Sequence, residues 1–381
     1  MKNIKRYGLL LIVFLGFSLL SGCNRGNQLL ILNWGEYIND EMVQAFEKET
    51  GYEVIISIAD SNELFYSKVK SGTTAYDLVV PSDYMVEKMV KKNLLQEIDY
   101  RKLTNYDPIN NPYMPGVSGI QSEMFDGNEN YAVPYFWGTF GIMYNKQKAG
   151  LEEALNTNGW DAYFDPEKRP SGTRVGMYNT PRFAYAAALF GAGLSPNIFD
   201  EASLKVAEDK LSNFKFTEWG FDTLKKGIAA NNLDMAYLYT GDFLDMLYTR
   251  LDAGDKLEDI TFDIYIPDET IAFMDFFVIP KNARHVDKAH EFIDFFLRPE
   301  VAYENASVVG YATPIRNAYD LIISHIDDDD PWLSAWAYAN KTYYPLPKEG
   351  DLKPYKGTPL SDFTQAQNDR INLLINNIKS K

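Results

Sequence analysis

Cysteine is almost missing from this chain: Cys23 is the only one in 381 residues. No intrachain disulfide is possible, so the fold must rest on a large packed core. Histidine is nearly as scarce. His285, His290 and His325 are scattered along the chain and offer neither a metal cluster nor a credible catalytic triad. No nucleophile elbow is present either. Beyond the first two dozen residues there is no apolar run long enough to span a bilayer, which needs about 20 residues. Internal repeats and low-complexity linkers are also lacking. Basic residues are outnumbered, 37 against 53 acids, for a formal net charge of −16. That excludes an electrostatic role on nucleic acid or on an anionic membrane and favours cations as partners.

What is present begins with a targeting segment. Lys2, Lys5 and Arg6 form a positive region, Leu9 to Leu20 an apolar one, and Leu20-Ser21-Gly22-Cys23 follows. The apolar part is too short for a membrane span and reads as a signal peptide over 1–22. The last four residues resemble a bacterial lipobox, in which the cysteine is lipidated and becomes the first residue of the mature protein. The expectation is therefore a chain anchored through Cys23 to the cell membrane, facing the periplasm or the outside, with residues 23–28 as a tether. Apolar residues at 46% and aromatics at 14% suit a well-packed globular protein of two domains.

Along the chain, strands and helices alternate. Leu29–Leu32 reads as a strand, followed by a helix that ends at Gly51. Tyr52–Ile58 is a strand, and Asp60-Ser61-Asn62-Glu63 opens a helix over Leu64–Lys70. Asp77–Val80 is a short buried strand, and Pro81-Ser82-Asp83 starts a helix over Tyr84–Lys92. This pattern predicts an α/β fold with a parallel sheet. From Tyr131 to Gly138 the chain is too aromatic for a surface loop and reads as a crossing into a second lobe. A second round of alternation follows: strands Val175–Tyr178 and Met235–Tyr239, helices Arg182–Phe190, Phe221–Ala230 and Asp242–Leu251. The apolar stretch Ile271–Pro280 reads as the return crossing. The expected division is 29–136 plus 276–330 for lobe 1, and 137–275 plus 331–381 for lobe 2. Two crossings create a cleft, which is a default ligand site able to close by hinge motion. The run Asp327–Asp330 has no calcium-loop spacing and reads as a solvated turn. Asp362–Lys381 reads as a closing helix.

Asn33-Trp34-Gly35-Glu36-Tyr37 stands at the carboxyl end of the first strand, where ligands bind in open α/β sheets. An indole, a carboxylate and a phenol together suit a small cation. Taken alone, a Trp at a strand end is more often packing than contact. Asp275 is a different case: it is an acid inside an otherwise apolar run, costly unless paired.

Four blocks extend the pattern: Asn33–Tyr37, Tyr76–Tyr84, Phe273-Met274-Asp275 and Gly310-Tyr311-Ala312-Thr313-Pro314. With them the chain resembles the spermidine/putrescine-binding proteins that feed ABC importers, over most of its mature length. The resemblance implies a two-lobe, type II periplasmic-binding-protein-like fold, no catalytic activity and no cofactor or metal. It also implies permease subunits as partners, and the chain is expected to act as a monomer. By position, Trp34 and Tyr37 would contact the ligand stem or an ammonium, and Glu36 would pair with one end. Ser82 and Tyr84 match further contacts, although Ser82 could equally cap the helix behind it. Tyr239 falls where the family often has Trp, and Asp242 where putrescine-preferring members carry an acid. As a helix N-terminal acid, Asp242 needs no ligand to explain it. Phe273 stands where putrescine binders tend to have Phe. Asp275 would hold an ammonium, and Tyr311 matches the Tyr of Gly-Tyr-x-Thr-Pro, where packing alone is the plainer explanation.

One departure concerns ligand length. Spermidine-binding relatives carry acids before the second-lobe helix, whereas this chain reads Asn179-Thr180-Pro181-Arg182-Phe183. The expectation is therefore putrescine over spermidine. The alternatives are another small cationic or amino-acid-like solute and, from a different class, a surface-anchored hydrolase built on paired carboxylates.

Overall fold

The computed structural model describes residues 25–114, 117, 121, 129–343 and 357–380. The signal segment, Cys23 and the start of the tether lie outside the described residues. No described helix is long and apolar enough to cross a membrane.

Lobe 1 is built on strand β1 (Gln28–Asn33), whose aliphatic run packs between β2 (Glu53–Ile58) and β3 (Leu78–Val79), both parallel to it. Each crossover is a helix with a clear start and stop. Asp40–Thr50 is capped by the Asn39 side chain and ends on Gly51 at φ 74°, a left-handed position that suits glycine. Asn62–Ser71 is capped by Ser61 and ends on Gly72. The carboxyl ends of β1 and β3 fall at one edge, so Trp34–Tyr37 and Ser82–Tyr84 emerge side by side.

The predicted crossing is one continuous strand, β5 (Val133–Asn145), buried along its whole length. At 13 residues it extends about 40 Å and runs well past Gly138, where the crossing expected from sequence ended. Pro134 concealed its start, because proline is rare inside a sheet. It is tolerated here beside a bulge. Pairing with β10 (Ile271–Phe277) shifts between Asp275 and Phe276, which leaves Tyr135 unmatched. The expected strand Ile271–Pro280 is correspondingly split, its end forming β11 (Ile279–Pro280) on β4 (Leu95–Gln96).

Lobe 2 holds β6 (Val175–Tyr178), β7 (Glu218–Gly220), β8 (Met235–Tyr239), β9 (Phe262–Tyr265) and β12 (Thr358–Pro359). With the two crossings they form a sheet of order β12-β10-β5-β8-β6-β7, with β9 also on β5. One buried cluster fills lobe 2; the other fills lobe 1 and continues across the hinge. The helix Pro331–Tyr343 straddles that hinge. Its Trp336 ring lies 5.3 Å from Tyr303 of lobe 1, while Tyr338 and Tyr343 meet Phe243 and the Tyr338 hydroxyl donates to Asp263 at 2.6 Å, all in lobe 2. The closing helix begins at Gln365, not Asp362, because Thr364 and Gln367 form a reciprocal capping box. Residues 360–363 are thereby left as a loop.

Candidate ligand-binding cleft

A cleft of about 760 Å³ opens between the lobes, within the range of small-molecule sites. Lobe 1 supplies Trp34, Glu36, Tyr37, Ser82 and Tyr84. The crossing strand supplies Phe273 and Asp275, lobe 2 supplies Tyr239, and Tyr311 lines the cleft as well. Nine of the ten ligand residues expected from sequence therefore meet in one cavity.

Each is held by its surroundings. The Trp34 indole donates to the Val80 carbonyl at 2.8 Å and leans on Phe65. Glu36 is exposed and sits at φ 51°, a left-handed conformation that is uncommon for a residue with a side chain and tends to mark functional turns. Tyr37 is buried, edge-on to Tyr311 at 5.1 Å and to Phe136 at 5.2 Å. Its hydroxyl donates to Asp275 Oδ2 at 2.5 Å. Ser82 does not cap its helix. Its hydroxyl accepts from Asn62 Nδ2, and its N–H donates to Asn62 Oδ1, each at 3.0 Å. The capping explanation for Ser82 thus gives way to a clamp that aims it at the cleft. Phe273 lies edge-on to Tyr239 at 5.3 Å and to Tyr311 at 6.1 Å. Gly138 faces it across the strand pair, and a Cβ there would fall 2.3 Å from the Phe273 ring. The glycine makes room for the ring.

Electrostatics concentrate at Asp275. The residue is 6% exposed, and its Oδ1 is buried without a hydrogen-bond partner. Burial raises its pKa against the hydroxyls of Ser82 and Tyr37, which favour the ionised form. Beside it lies Asp83, equally buried, which accepts from the N–H groups of Tyr84 at 2.6 Å and Met274 at 3.3 Å. Burial, reinforced by the Asp275 charge, pushes the Asp83 carboxyl up to about 8. The neighbouring Tyr84 hydroxyl is also raised, by burial and then by Glu63.

Asp242 lies apart. It lines an adjoining cavity of about 420 Å³ that shares Tyr239, Phe273 and Tyr311 with the cleft, and its Oδ1 accepts from Lys225 at 2.8 Å. Arg182, by contrast, does line the cleft. Its guanidinium stacks 4.1 Å from the Phe363 ring and donates to Pro196 O and Asn197 Oδ1. Burial lowers its pKa to about 10. Sequence reading assigned no ligand contact to Asn62, Asp83 or the loop Leu360–Phe363, all of which line the cleft. The Thr364–Gln367 capping signal could have exposed that loop. Among the described residues no group of three or more His, Cys, Asp or Glu could hold a metal ion.

This arrangement, aromatic walls around a buried carboxylate between two hinged lobes, can be set beside known proteins. The putrescine-binding periplasmic protein SpuD of Pseudomonas aeruginosa is 30% identical over 336 residues, covering 86% of this chain and 89% of that protein. The spermidine/putrescine-binding periplasmic protein of Escherichia coli is 32% identical over 308 residues, 80% of this chain and 82% of its own. Among solved structures, the spermidine/putrescine ABC transporter substrate-binding protein PotD of Streptococcus pneumoniae superposes with a TM-score of 0.74 at 29% identity, covering 93% of this chain and 99% of that one. The family profile described as bacterial extracellular solute-binding protein matches residues 41–340, and the chain belongs to that family.

Proposed function

We propose that the cleft captures a short linear polyamine, putrescine in preference to spermidine, and presents it to the permease of an ABC importer. The observation that carries this is Asp275: a buried carboxylate with one oxygen held by Tyr37 and the other unpartnered, beside aromatic rings. An ammonium would satisfy that oxygen by a charge-assisted hydrogen bond. Methylenes would lie against Trp34, Phe273 and Tyr311, where ring faces also attract cations. The names of the relatives support the polyamine class. Arg182 supports the shorter ligand, since no carboxylate pairs with it among the described residues and a further ammonium would be repelled there. The protein acts as a monomeric binding component without catalysis, lipid-anchored through Cys23 outside the cytoplasm. Glu36 meets one end of the ligand, and closure of the lobes creates the surface that the permease reads.

A thermal-shift panel tests this. Ligand at a hundred times its Kd adds about 2.7 kcal/mol of stability, so saturating putrescine should raise Tm clearly and more than spermidine does. No shift with either overturns the proposal. Arg182, which pairs with no carboxylate among the described residues, favours a second reading, an amine that also bears a carboxylate. 4-Aminobutyrate, ornithine and lysine belong in the same panel, and a larger shift with any of them would replace the diamine.

A further inference from the structure

Two buried carboxylates line the cleft side by side, Asp83 at 4% exposure and Asp275 at 6%. The backbone ties them together. Ser82 and Asp275 form a single antiparallel bridge, the Phe276 N–H donates to Pro81 O at 3.0 Å, and the Met274 N–H donates to Asp83 Oδ2 at 3.3 Å. Among the described residues neither carboxylate is ion-paired. The charges that bear on Asp83 are Asp275 on β10 and Glu87 on its own helix, Asp83–Lys91, and both are anionic. Glu63 on the helix Asn62–Ser71 and Asp362 from lobe 2 act on the adjoining Tyr84, again with negative charge. Arg182 lines the cleft from lobe 2, but its guanidinium is taken up by Pro196 O, Asn197 and the Phe363 ring. None of the three histidines lines the cleft. The phenols of Tyr37 and Tyr84 are raised by burial and keep their protons near neutral pH.

From this geometry we infer that Asp83 is the proton-bearing partner of Asp275: an ammonium seated on Asp275 drives the proton off Asp83, so capture releases a proton and strengthens as pH rises through neutrality. The inference rests on the polyamine reading of the cleft. Two like charges in one buried site cannot both ionise without a cation. Burial raises both carboxyls, and the hydroxyls of Ser82 and Tyr37 favour the ionised form of Asp275. Asp83 has two backbone N–H groups and a helix N-terminus in its favour, yet burial and the Asp275 charge outweigh them and hold its proton up to about 8. An ammonium on Asp275 reverses the local field, and an opposite charge within about 4–6 Å lowers a carboxyl's pKa by about 1–3. The Asp83 O–H then breaks, the proton passes to solvent, and the ligand keeps all of its own, because an alkylammonium titrates only near about 10. Across this window the occupied protein binds fewer protons than the empty one, so affinity rises with pH by up to about tenfold per pH unit and levels off above about 8. The site thus gains its second negative charge only when a cation is there to meet it.

The test titrates putrescine calorimetrically into wild type, Asp83→Asn and Asp83→Ser near neutral pH, in phosphate and in Tris at matched ionic strength. The two buffers take up protons with different enthalpies, so the difference in observed binding enthalpy counts the protons released. Wild type should release about 0.4 of a proton or more per ligand, and its affinity should rise about fourfold or more between roughly pH 6.5 and 8. Both variants lack the titrating carboxyl and should release almost none, with an affinity that is level over the same range. Serine keeps an acceptor at the helix start should the amide disturb it. If wild type binds putrescine without proton release and with a level pH profile, the role of Asp83 is refuted while the cleft assignment stands. Release that persists in either variant, folded by circular dichroism, refutes it as well. If wild type binds no polyamine, the cleft assignment itself fails and this inference falls with it.

Discussion

Replacing Asp275 by Asn removes one charge and little else. The amide is nearly the same size, keeps an acceptor for the Tyr37 hydroxyl and sits on the same strand. Truncating one partner of a buried, hydrogen-bonded ion pair costs about 2–5 kcal/mol of binding. Two features of the structure place Asp275→Asn toward the lower end. Burial raises the Asp275 pKa in the empty cleft, so part of the gain from an ammonium goes into ionising the carboxyl. Tyr37 already satisfies Oδ2, so the ligand contributes through Oδ1 alone. The expected loss is about 2–3 kcal/mol, or roughly 30- to 150-fold in Kd for putrescine. Calorimetric titration near neutral pH measures it. The same variant should leave the empty protein as stable as wild type or more so, because an incompletely paired buried charge is itself unfavourable. Affinity and stability moving in opposite directions is the signature. Wild-type binding of putrescine together with an Asp275→Asn affinity within about threefold of it would show that the carboxylate does not meet the ligand.

Three further perturbations probe other parts of the site. Gly138→Ala forces the Phe273 ring out of its place, since the new Cβ would lie 2.3 Å away; a stability loss of about 1–3 kcal/mol and a several-fold weaker Kd are expected, and no change in either would mean the ring is not held there. Asp83 keeps its proton to about 8 in the fold, while an unfolded Asp loses it near about 4. The folded state therefore binds more protons across that window, and stability of the empty protein falls as pH rises through it. Asp83→Asn should flatten that dependence in Tm scans, and an unaltered slope would contradict the protonated carboxyl. Phe183 lines the second-lobe end of the cleft, so Phe183→Glu should raise the spermidine-to-putrescine affinity ratio; a ratio that stays put would misplace that end of the ligand.

Much of this arrangement is legible before any coordinates. The aliphatic run Leu29–Leu32 leads into β1, and the strand ends carry the Trp34–Tyr37 and Ser82–Tyr84 clusters because parallel sheets present their carboxyl edges to ligands. Strands Val175–Tyr178 and Met235–Tyr239 have the bounds expected from sequence. What escapes the sequence is tertiary. Pro134 hides a strand whose bulge makes the proline harmless. Lys225 and Asp242 are 17 positions apart on two helices, outside the short spacings that reveal helical ion pairs. Asp83 looks like an ordinary first-turn acid, and only its burial beneath β10 shows a carboxyl turned inward.

The position of Asp275 on a crossing strand has a kinetic consequence. The cleft walls belong to one lobe or the other, Trp34 and Tyr84 on one side, Phe183 and Tyr239 on the other, so they part when the hinge opens. Asp275 belongs to the strand that joins the lobes, one residue before the bulge, and stays at the cleft floor in either state. If the cleft takes a polyamine as proposed, capture divides into two steps: an ammonium docks on the floor of the open cleft at a rate set by diffusion and charge, and the walls fold over the stem afterwards. Substitutions on the walls should register in the dissociation rate alone, and those at the floor in both rate constants.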